Sequence, residues 1–295
     1  MNCLRAFYVW LALMLSACAA TAGVRVGDMS GQTLVLDAPA QRIVSLAPSL
    51  TELAYAAGAG ERLVGAVVYS DYPAPARRLP AVGNANRIDL EAVLALQPDV
   101  VLAWGSGNPP AQLARFRQLG IPVFIAEPHS LDDIALLLER IGVLAGTRAR
   151  ADQAAREFRT RRDALRAQYS DRPVVRVFYE VWHRPLMTVN GEHTISAVIR
   201  LCGGRNVFAD LPQLSGQVTL EAVLAADPEA IVAGGGTDAA RPGWLGHWQR
   251  WPRLRAVRNA HIFHIPPDLI HRHSPRILDG AERMCELLEQ VRQSR

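Results

Sequence analysis

The sequence predicts an α/β protein in which two similar lobes, each with a parallel sheet, are joined by a long helix and enclose a cleft. Short apolar strands alternate with helices along most of the chain, as is typical of parallel sheets covered on both faces. The alternation is broken once, by a long arginine-rich helical pattern, and then resumes. The sixteen residues from Leu90 recur from Leu220 with nine identities, six of them consecutive. Two copies of one unit indicate two lobes rather than a solenoid of many repeats.

The first lobe is predicted to span residues 23–146. Its apolar runs predict strands at 43–46, 62–68, 99–104 and 121–126, and helices at 49–57, 89–97, 111–120 and 130–145. Ser49-Leu50-Thr51-Glu52 has the pattern of a capping box. We therefore expect the Ser49 and Glu52 side chains to cap the first helix.

The connecting helix is predicted at residues 147–170 and the second lobe at 171–295. From Arg148 to Tyr169 only a narrow apolar stripe occurs, so this helix should lie on the outside of the protein. At 1.5 Å per residue it would span about 30 Å, the width of a small domain. Its seven arginines are interpreted as a solvated face.

The first 22 residues have the pattern of a secretory signal. Arg5 is followed by an apolar run that is too short to cross a membrane, and then by small residues. Two cleavage patterns overlap here. Residues 15–18 resemble a bacterial lipobox in which Cys18 would be lipidated, whereas Ala20-Thr21-Ala22 resembles an ordinary A-x-A site. The mature protein is expected outside the cytoplasm, in the periplasm, with membrane attachment only through such a lipid.

Cys202 and Cys285 are the two cysteines that either cleavage leaves unmodified. In an oxidising compartment a disulfide between them is the natural inference, and its loop would contribute roughly 4 kcal/mol to stability. The alternative is a pair of buried thiols.

Composition and motifs exclude several function classes. All 32 basic residues are arginine, so no lysine can form a Schiff base. A net charge of +4 without arginines interleaved with aromatics argues against nucleic acid as a partner. We find no nucleophile elbow, phosphate-binding loop or zinc-protease motif, and we predict neither enzyme activity, a metal site nor a cofactor.

Exposed aromatics supply the clearest sign of a binding site. Tyr69 and Tyr72 follow one predicted strand, Trp104 ends another, and Trp182 follows a strand of the second lobe. Open parallel sheets place ligand crevices at these strand ends. Aromatics from both lobes suit a large, flat, apolar ligand with a few polar anchors, although any one of them could instead pack under its loop.

Glu91 and Glu221 are the matched acids of the repeat. Each lies near a helix N-terminus, where the helix dipole stabilises a carboxylate by about 0.3–1 kcal/mol. That alone could explain both residues. Two similar lobes would also display them as a symmetric pair suited to a two-fold partner.

Five segments together carry a resemblance to the periplasmic cobalamin-binding proteins of ABC importers: Arg42–Gly65, Tyr69–Pro73, Leu90–Trp104, Cys202–Phe208 and His273–Ile277. The resemblance extends over about residues 40–290. It implies two Rossmann-like lobes joined by one rigid helix, with cobalamin or a related corrinoid in the cleft. It implies ligand contacts at Tyr69 and in the loop Asp268-Leu269-Ile270-His271-Arg272, docking to the permease subunits through Glu91 and Glu221, and a Cys202–Cys285 disulfide.

Departures from the family keep other ligands open. Leu269 and Ile270 stand where the family has aromatics, and Ala85 replaces another aromatic, although Trp182 and His183 could compensate from the second lobe. Haem or a ferric siderophore is the alternative ligand, with Tyr69 or His271 bound to iron. A secreted enzyme on the same scaffold is a third reading, for which the chain offers no catalytic set.

Overall fold

The computed structural model describes residues 23–235 and 242–295, so the predicted signal and Cys18 lie outside the described residues. The strands of the first lobe are β1 (Val24–Gly27), β2 (Thr33–Leu36), β3 (Ile43–Ser45), β4 (Leu63–Ala66), β5 (Gly83–Asn84), β6 (Arg87–Ile88), β7 (Val100–Trp104) and β8 (Val123–Ala126). Four of them form a parallel sheet in the order β4-β3-β7-β8, as the strand–helix alternation predicts. The hairpins β1–β2 and β5–β6 lie beside it.

The helices of this lobe are α1 (Pro48–Ala56), α2 (Leu90–Ala95), α3 (Pro110–Gln118) and α4 (Leu131–Ala145). The predicted capping box on α1 is wrong. Pro48 occupies the first helical turn and Ala47 becomes the N-cap, without a side-chain hydrogen bond, so Ser49 already lies inside the helix. A capping box occurs instead on α4, between Ser130 and Asp133.

The helix between the lobes, α5 (Arg148–Tyr169), has the predicted bounds. Part of the arginine face is not simply solvated, because three arginines pair with acids of both lobes. Arg159 binds Glu139 and Arg162 binds Asp132 on the first lobe. Arg161 reaches two acids of the last helix of the second lobe, at 2.6 and 2.8 Å. The lobe boundaries at 146, 147 and 170 remain a prediction.

The second lobe repeats the arrangement of the first. Its strands are β9 (Val175–Glu180), β10 (Trp182–His183), β11 (Leu186–Val189), β12 (Gly204–Asn206), β13 (Ser215–Gln217), β14 (Ala230–Ala233) and β15 (Ile262–His264), and its helices are α6 (Thr194–Leu201), α7 (Leu220–Ala226), α8 (Arg255–Arg258), α9 (Pro267–Ile270) and α10 (Ile277–Gln293). Its parallel sheet has the order β12-β9-β14-β15. Within each parallel sheet the strand that comes first in sequence, β3 or β9, is central. The second, β4 or β12, lies on one edge, and the third and fourth follow on the other side.

The sequence repeat maps onto matching elements. Leu90 and Leu220 begin α2 and α7, which lead into the equivalent strands β7 and β14. Asp89 and Thr219 are the N-caps, and each side chain accepts a hydrogen bond from the backbone N–H three residues on. The two-lobe prediction is confirmed.

A disulfide joins Cys202, at the end of α6, to Cys285 on α10. Both cysteines are fully buried in the largest apolar core, which reaches from the first lobe through α5 into the second. The predicted pairing is confirmed. No helix among the described residues is long and apolar enough to cross a membrane.

Candidate ligand cleft

The predicted aromatics lie at the carboxyl ends of strands from both lobes. Tyr69 and Tyr72 follow β4, and their side chains are 79% and 47% exposed. Trp182 begins β10, directly after β9, and is 41% exposed. Trp104 ends β7 and is half-buried, and its ring is nearly perpendicular to that of His273 of the second lobe, with 6.4 Å between centroids. The three exposed rings therefore leave part of their apolar surface open to solvent.

Tyr69 has a left-handed backbone, with φ of +67°. A residue with a side chain pays about 1–2 kcal/mol for this conformation. The next residue is fixed, because the hydroxyl groups of Ser70 and Thr51 hydrogen-bond at 3.1 Å. This backbone conformation turns the large Tyr69 ring outward at the end of β4, where no packing compensates for the strain.

The predicted ligand loop, residues 268–272, offers less free surface than expected. Ile270 is fully buried in the core and presents no face to a ligand in this structure. Leu269 packs against the same core but remains partly exposed. Asp268 pairs with Arg272 at 2.9 Å and keeps nearly half of its side chain exposed.

Arg272 is committed to protein contacts that sequence reasoning did not foresee. Its guanidinium donates to Glu52 at 2.9 Å and to Asp71 at 2.7 Å, both on the first lobe. Only 11% of the Arg272 side chain is exposed. Burial alone would raise the pKa of Asp71, but the hydrogen bond and positive charge of Arg272 hold that pKa below its usual value.

Glu52 is the centre of this inter-lobe cluster. Its side chain is only 2% exposed, and it accepts hydrogen bonds from Arg272, Arg276 and Ser274, all on the second lobe. Arg276 also lies over the ring of Tyr72, 4.1 Å from its centroid. A groove of about 470 Å³ borders the cluster on the side of α5.

Histidines line the second lobe beside Trp104. The rings of His193 and His273 lie 5.7 Å apart, and His271 shares a 2.9 Å hydrogen bond with the buried Tyr179 hydroxyl. Burial, together with the positive charge that neighbouring histidines would carry, lowers the pKa of His193 to about 3 and those of His271 and His273 to about 4. All three imidazoles are therefore neutral near pH 7.

Close packing fixes the Tyr179–His271 pair. A Cβ atom at Gly234 would lie 1.7 Å from the Tyr179 hydroxyl oxygen and 2.6 Å from His271 Nε2. Only glycine fits this strand end. The first two residues of the glycine triplet thus serve close packing, while the third lies outside the described residues.

A buried acid supports the strand that leads to Trp182. Glu180 is fully buried at the end of β9, and its Oε2 accepts a 2.7 Å hydrogen bond from the Trp248 indole N–H. Its Oε1 has no partner among the described residues. Burial raises the pKa of Glu180 to about 7, against the opposing effect of the Trp248 hydrogen bond.

The two matched glutamates lie on the surface. Glu91 and Glu221 are exposed residues in the first turns of α2 and α7, one on each lobe. No ion pair to either carboxylate is found within the described part of the chain. The repeat therefore presents two solvated acids at equivalent positions.

Sequence reasoning missed Glu52 and His193 as site residues. One sequence signal for Glu52 was present: it lies between Leu50 and Leu53 in a largely apolar helical run, and a carboxylate buried there requires charged or polar partners. Its partners could not be read from the sequence, because they lie more than 200 residues away. Within residues 23–235 and 242–295, no group of three or more His, Cys, Asp or Glu residues is arranged to hold a metal ion.

Comparison with known proteins extends over both sheets and the connecting helix. Residues 43–269 match the periplasmic binding protein family. The vitamin B12-binding protein of Vibrio parahaemolyticus is 38% identical over 258 residues, 87% of this chain and 92% of that protein. The crystal structure of the periplasmic vitamin B12-binding protein of Vibrio cholerae has a TM-score of 0.79 and 38% identity, covering 86% of this chain and 98% of that one. A periplasmic haem-binding protein from Pseudomonas aeruginosa has a TM-score of 0.73 and 26% identity, covering 83% and 91%.

Proposed function

We propose that this chain, which belongs to the periplasmic binding protein family, captures cobalamin or a related corrinoid in the periplasm and delivers it to an ABC importer. One observation carries the proposal: aromatics at strand ends of both lobes are exposed in a chain that is 38% identical, over most of its length, to vitamin B12-binding proteins. The protein binds and releases its ligand without chemical change, so we assign no catalytic residue.

The cleft suits a flat ring with a polar periphery. Tyr69, Tyr72 and Trp182 offer exposed rings, and Trp104 offers an edge between the lobes. A corrin macrocycle would be held between such faces by burial of apolar area. Asp268 and the loop 268–272 would hydrogen-bond its amide side chains, with Leu269 as an apolar contact. Ile270 supports this loop from the core, and Arg272 acts mainly through its ion pairs.

Titration calorimetry with cyanocobalamin, cobinamide, haem and a ferric siderophore tests the ligand. We expect binding of both corrinoids and none of the iron ligands. Binding of haem or siderophore with no heat from either corrinoid would overturn the assignment. Haem is the second candidate because the Tyr69 hydroxyl group is exposed enough to bind iron and because a haem-binding protein shares the fold at 26% identity.

Glu91 and Glu221 are proposed to dock the protein on the two permease subunits. Their solvated carboxylates, one on each lobe, suit a partner with matching arginines. Because exposed ion pairs are individually weak, the variant with both Glu91→Arg and Glu221→Arg should impair uptake far more than either single change. Uptake at the wild-type rate by the double variant would refute docking through these residues. Unchanged calorimetry would show that the cleft is intact.

We propose that the first 22 residues contain an export signal and that cleavage before Cys18 makes this residue the lipidated N-terminus. The lipid would then be the only membrane attachment. Mass spectrometry of the mature protein tests this assignment. An acylated N-terminal Cys18 is expected, and an unmodified N-terminus at Gly23 would contradict it.

A further inference from the structure

We infer that Glu52 is a positioning residue for the cleft: through Arg272 and Arg276 of the second lobe, it holds the segment 69–72 of the first lobe, which we call the aromatic loop. The inference rests on the proposed function, because the aromatic loop is one of the parts of the first lobe assigned to the ligand. It gives Glu52, which the sequence suggested only as a helix cap, a role in recognition.

The Glu52 carboxylate is saturated by donors from the opposite lobe. Oε1 accepts from Arg272 at 2.9 Å and from Arg276 at 3.1 Å, and Oε2 accepts from the Ser274 hydroxyl at 2.5 Å. Charge-assisted hydrogen bonds of this kind are directional and stronger than neutral ones. The Glu52 carboxylate is almost wholly enclosed. If either guanidinium group moved away to bind water instead, this buried charge would lose a partner.

Each arginine has a second contact on the aromatic loop. Arg272 donates to Asp71 at 2.7 Å through the same nitrogen that binds Glu52. Arg276 places its guanidinium 4.1 Å from the centroid of the Tyr72 ring. The position of the loop therefore depends on where Glu52 sets the two arginines.

The loop is also held from its own lobe. Thr51, the residue before Glu52, binds the Ser70 hydroxyl group, and Arg77 binds the backbone carbonyl of Asp71 at 3.1 Å. Adjacent residues of α1 thus fix the loop from two sides: Thr51 directly, and Glu52 through the second lobe. Since the Tyr69 and Tyr72 rings are exposed, these polar contacts take the place of packing in fixing their direction.

A purely structural role makes a different prediction. If Glu52 only joined the lobes, its loss would lower stability and leave the affinity of the folded protein unchanged. The test therefore compares Glu52→Gln, which keeps the shape but removes the charge, with Asp71→Asn, which weakens only the loop end of the network. Asp132→Asn is the matched control, because it weakens another ion pair to a buried arginine, Arg162, away from the loop.

Cyanocobalamin affinity is measured by calorimetry under conditions in which urea unfolding shows each variant to be folded. We expect Kd to rise about tenfold for Glu52→Gln and for Asp71→Asn, the size of a lost hydrogen bond to a charged group, and to stay unchanged for Asp132→Asn. The double variant of Glu52 and Asp71 should lose little more than either single variant, because both act through Arg272.

Hydrogen exchange of residues 69–73 without ligand supplies an independent readout. Faster exchange there in Glu52→Gln than in Asp132→Asn supports positioning. Lower stability with unchanged exchange and unchanged Kd overturns it. If Glu52→Gln does not fold, Asp71→Asn decides by the same two measurements. If the wild type binds no cyanocobalamin, the proposed function fails, and the exchange experiment still decides whether Glu52 positions the loop.

Discussion

Replacing Glu180 by glutamine should stabilise the protein at alkaline pH and not at acidic pH. The Glu180 carboxyl group is fully buried, one of its oxygens has no partner among the described residues, and burial raises its pKa to about 7 from an ordinary 4.5. Between these two values the folded protein keeps a proton that the unfolded chain has lost. Stability therefore falls as pH rises through this window, and the loss is complete above pH 7.

The magnitude follows from the size of the pKa shift. A raised pKa of this size costs about 3 kcal/mol when the acid is fully ionised, of which about 2.5 kcal/mol develops between pH 5 and pH 8. Glutamine keeps an oxygen for the Trp248 indole N–H and does not titrate. The stability of Glu180→Gln relative to wild type should therefore increase by about 2.5 kcal/mol from pH 5 to pH 8.

Urea unfolding followed by tryptophan fluorescence measures this difference at each pH. Glu61→Gln, at an exposed acid, is the control and should show a much smaller change. Other titrating groups contribute equally to variant and wild type and cancel in the difference. A stability difference for Glu180→Gln that stays constant between pH 5 and pH 8 would refute the assignment of a buried, protonated carboxyl group.

Three further outcomes are expected. Burial lowers the pKa of His193 and His273, so between pH 7 and pH 5 the unfolded chain binds protons that the folded protein does not, and stability should fall with pH. His273→Gln should reduce that fall by about 2 kcal/mol, measured by urea unfolding at each pH. An unchanged dependence of stability on pH would contradict this. Replacing both Cys202 and Cys285 by alanine should lower the free energy of unfolding by about 4 kcal/mol, because their disulfide closes a loop over a sequence separation of 83. A loss below about 1 kcal/mol in urea unfolding would argue against the loop-entropy explanation. Tyr69→Gly should leave stability unchanged or raise it by up to about 1 kcal/mol, because glycine adopts the left-handed backbone without strain and the exposed ring contributes no packing. The Kd for cyanocobalamin should rise about tenfold. A large loss of stability would show that the ring packs against the protein.

The sequence predicted the features that depend on local pattern. Alternating apolar strands and helices, repeated once from Leu90 to Leu220, led to two parallel sheets with the same strand order. The bounds of the connecting helix followed from the same periodicity. These features depend on backbone hydrogen bonds and on burial of neighbouring faces, so residues close in sequence determine them.

Contacts between distant residues could not be predicted in this way. Ser49 and Glu52 fit a capping motif, but Pro48 moves the helix start, and the Glu52 carboxylate gains three donors that lie 220 or more residues along the chain. The family resemblance assigned Arg272 to the ligand, and nothing near it in sequence reveals that Glu52 and Asp71 already bind it. A buried charge is satisfied by the whole fold, and only the fold shows by which residues.

The connecting helix limits the ways in which a receptor could distinguish the ligand-free protein from the ligand-bound protein. Arg159 and Arg162 bind α5 to the first lobe and Arg161 binds it to the second, so a wide swing of one lobe against the other would break several partly exposed ion pairs together. With these pairs kept, the outline of the molecule would change little on ligand binding. A receptor that tells the two states apart would then have to sense the shape and charge at the rim of the cleft, and not a change in the distance between the two lobes.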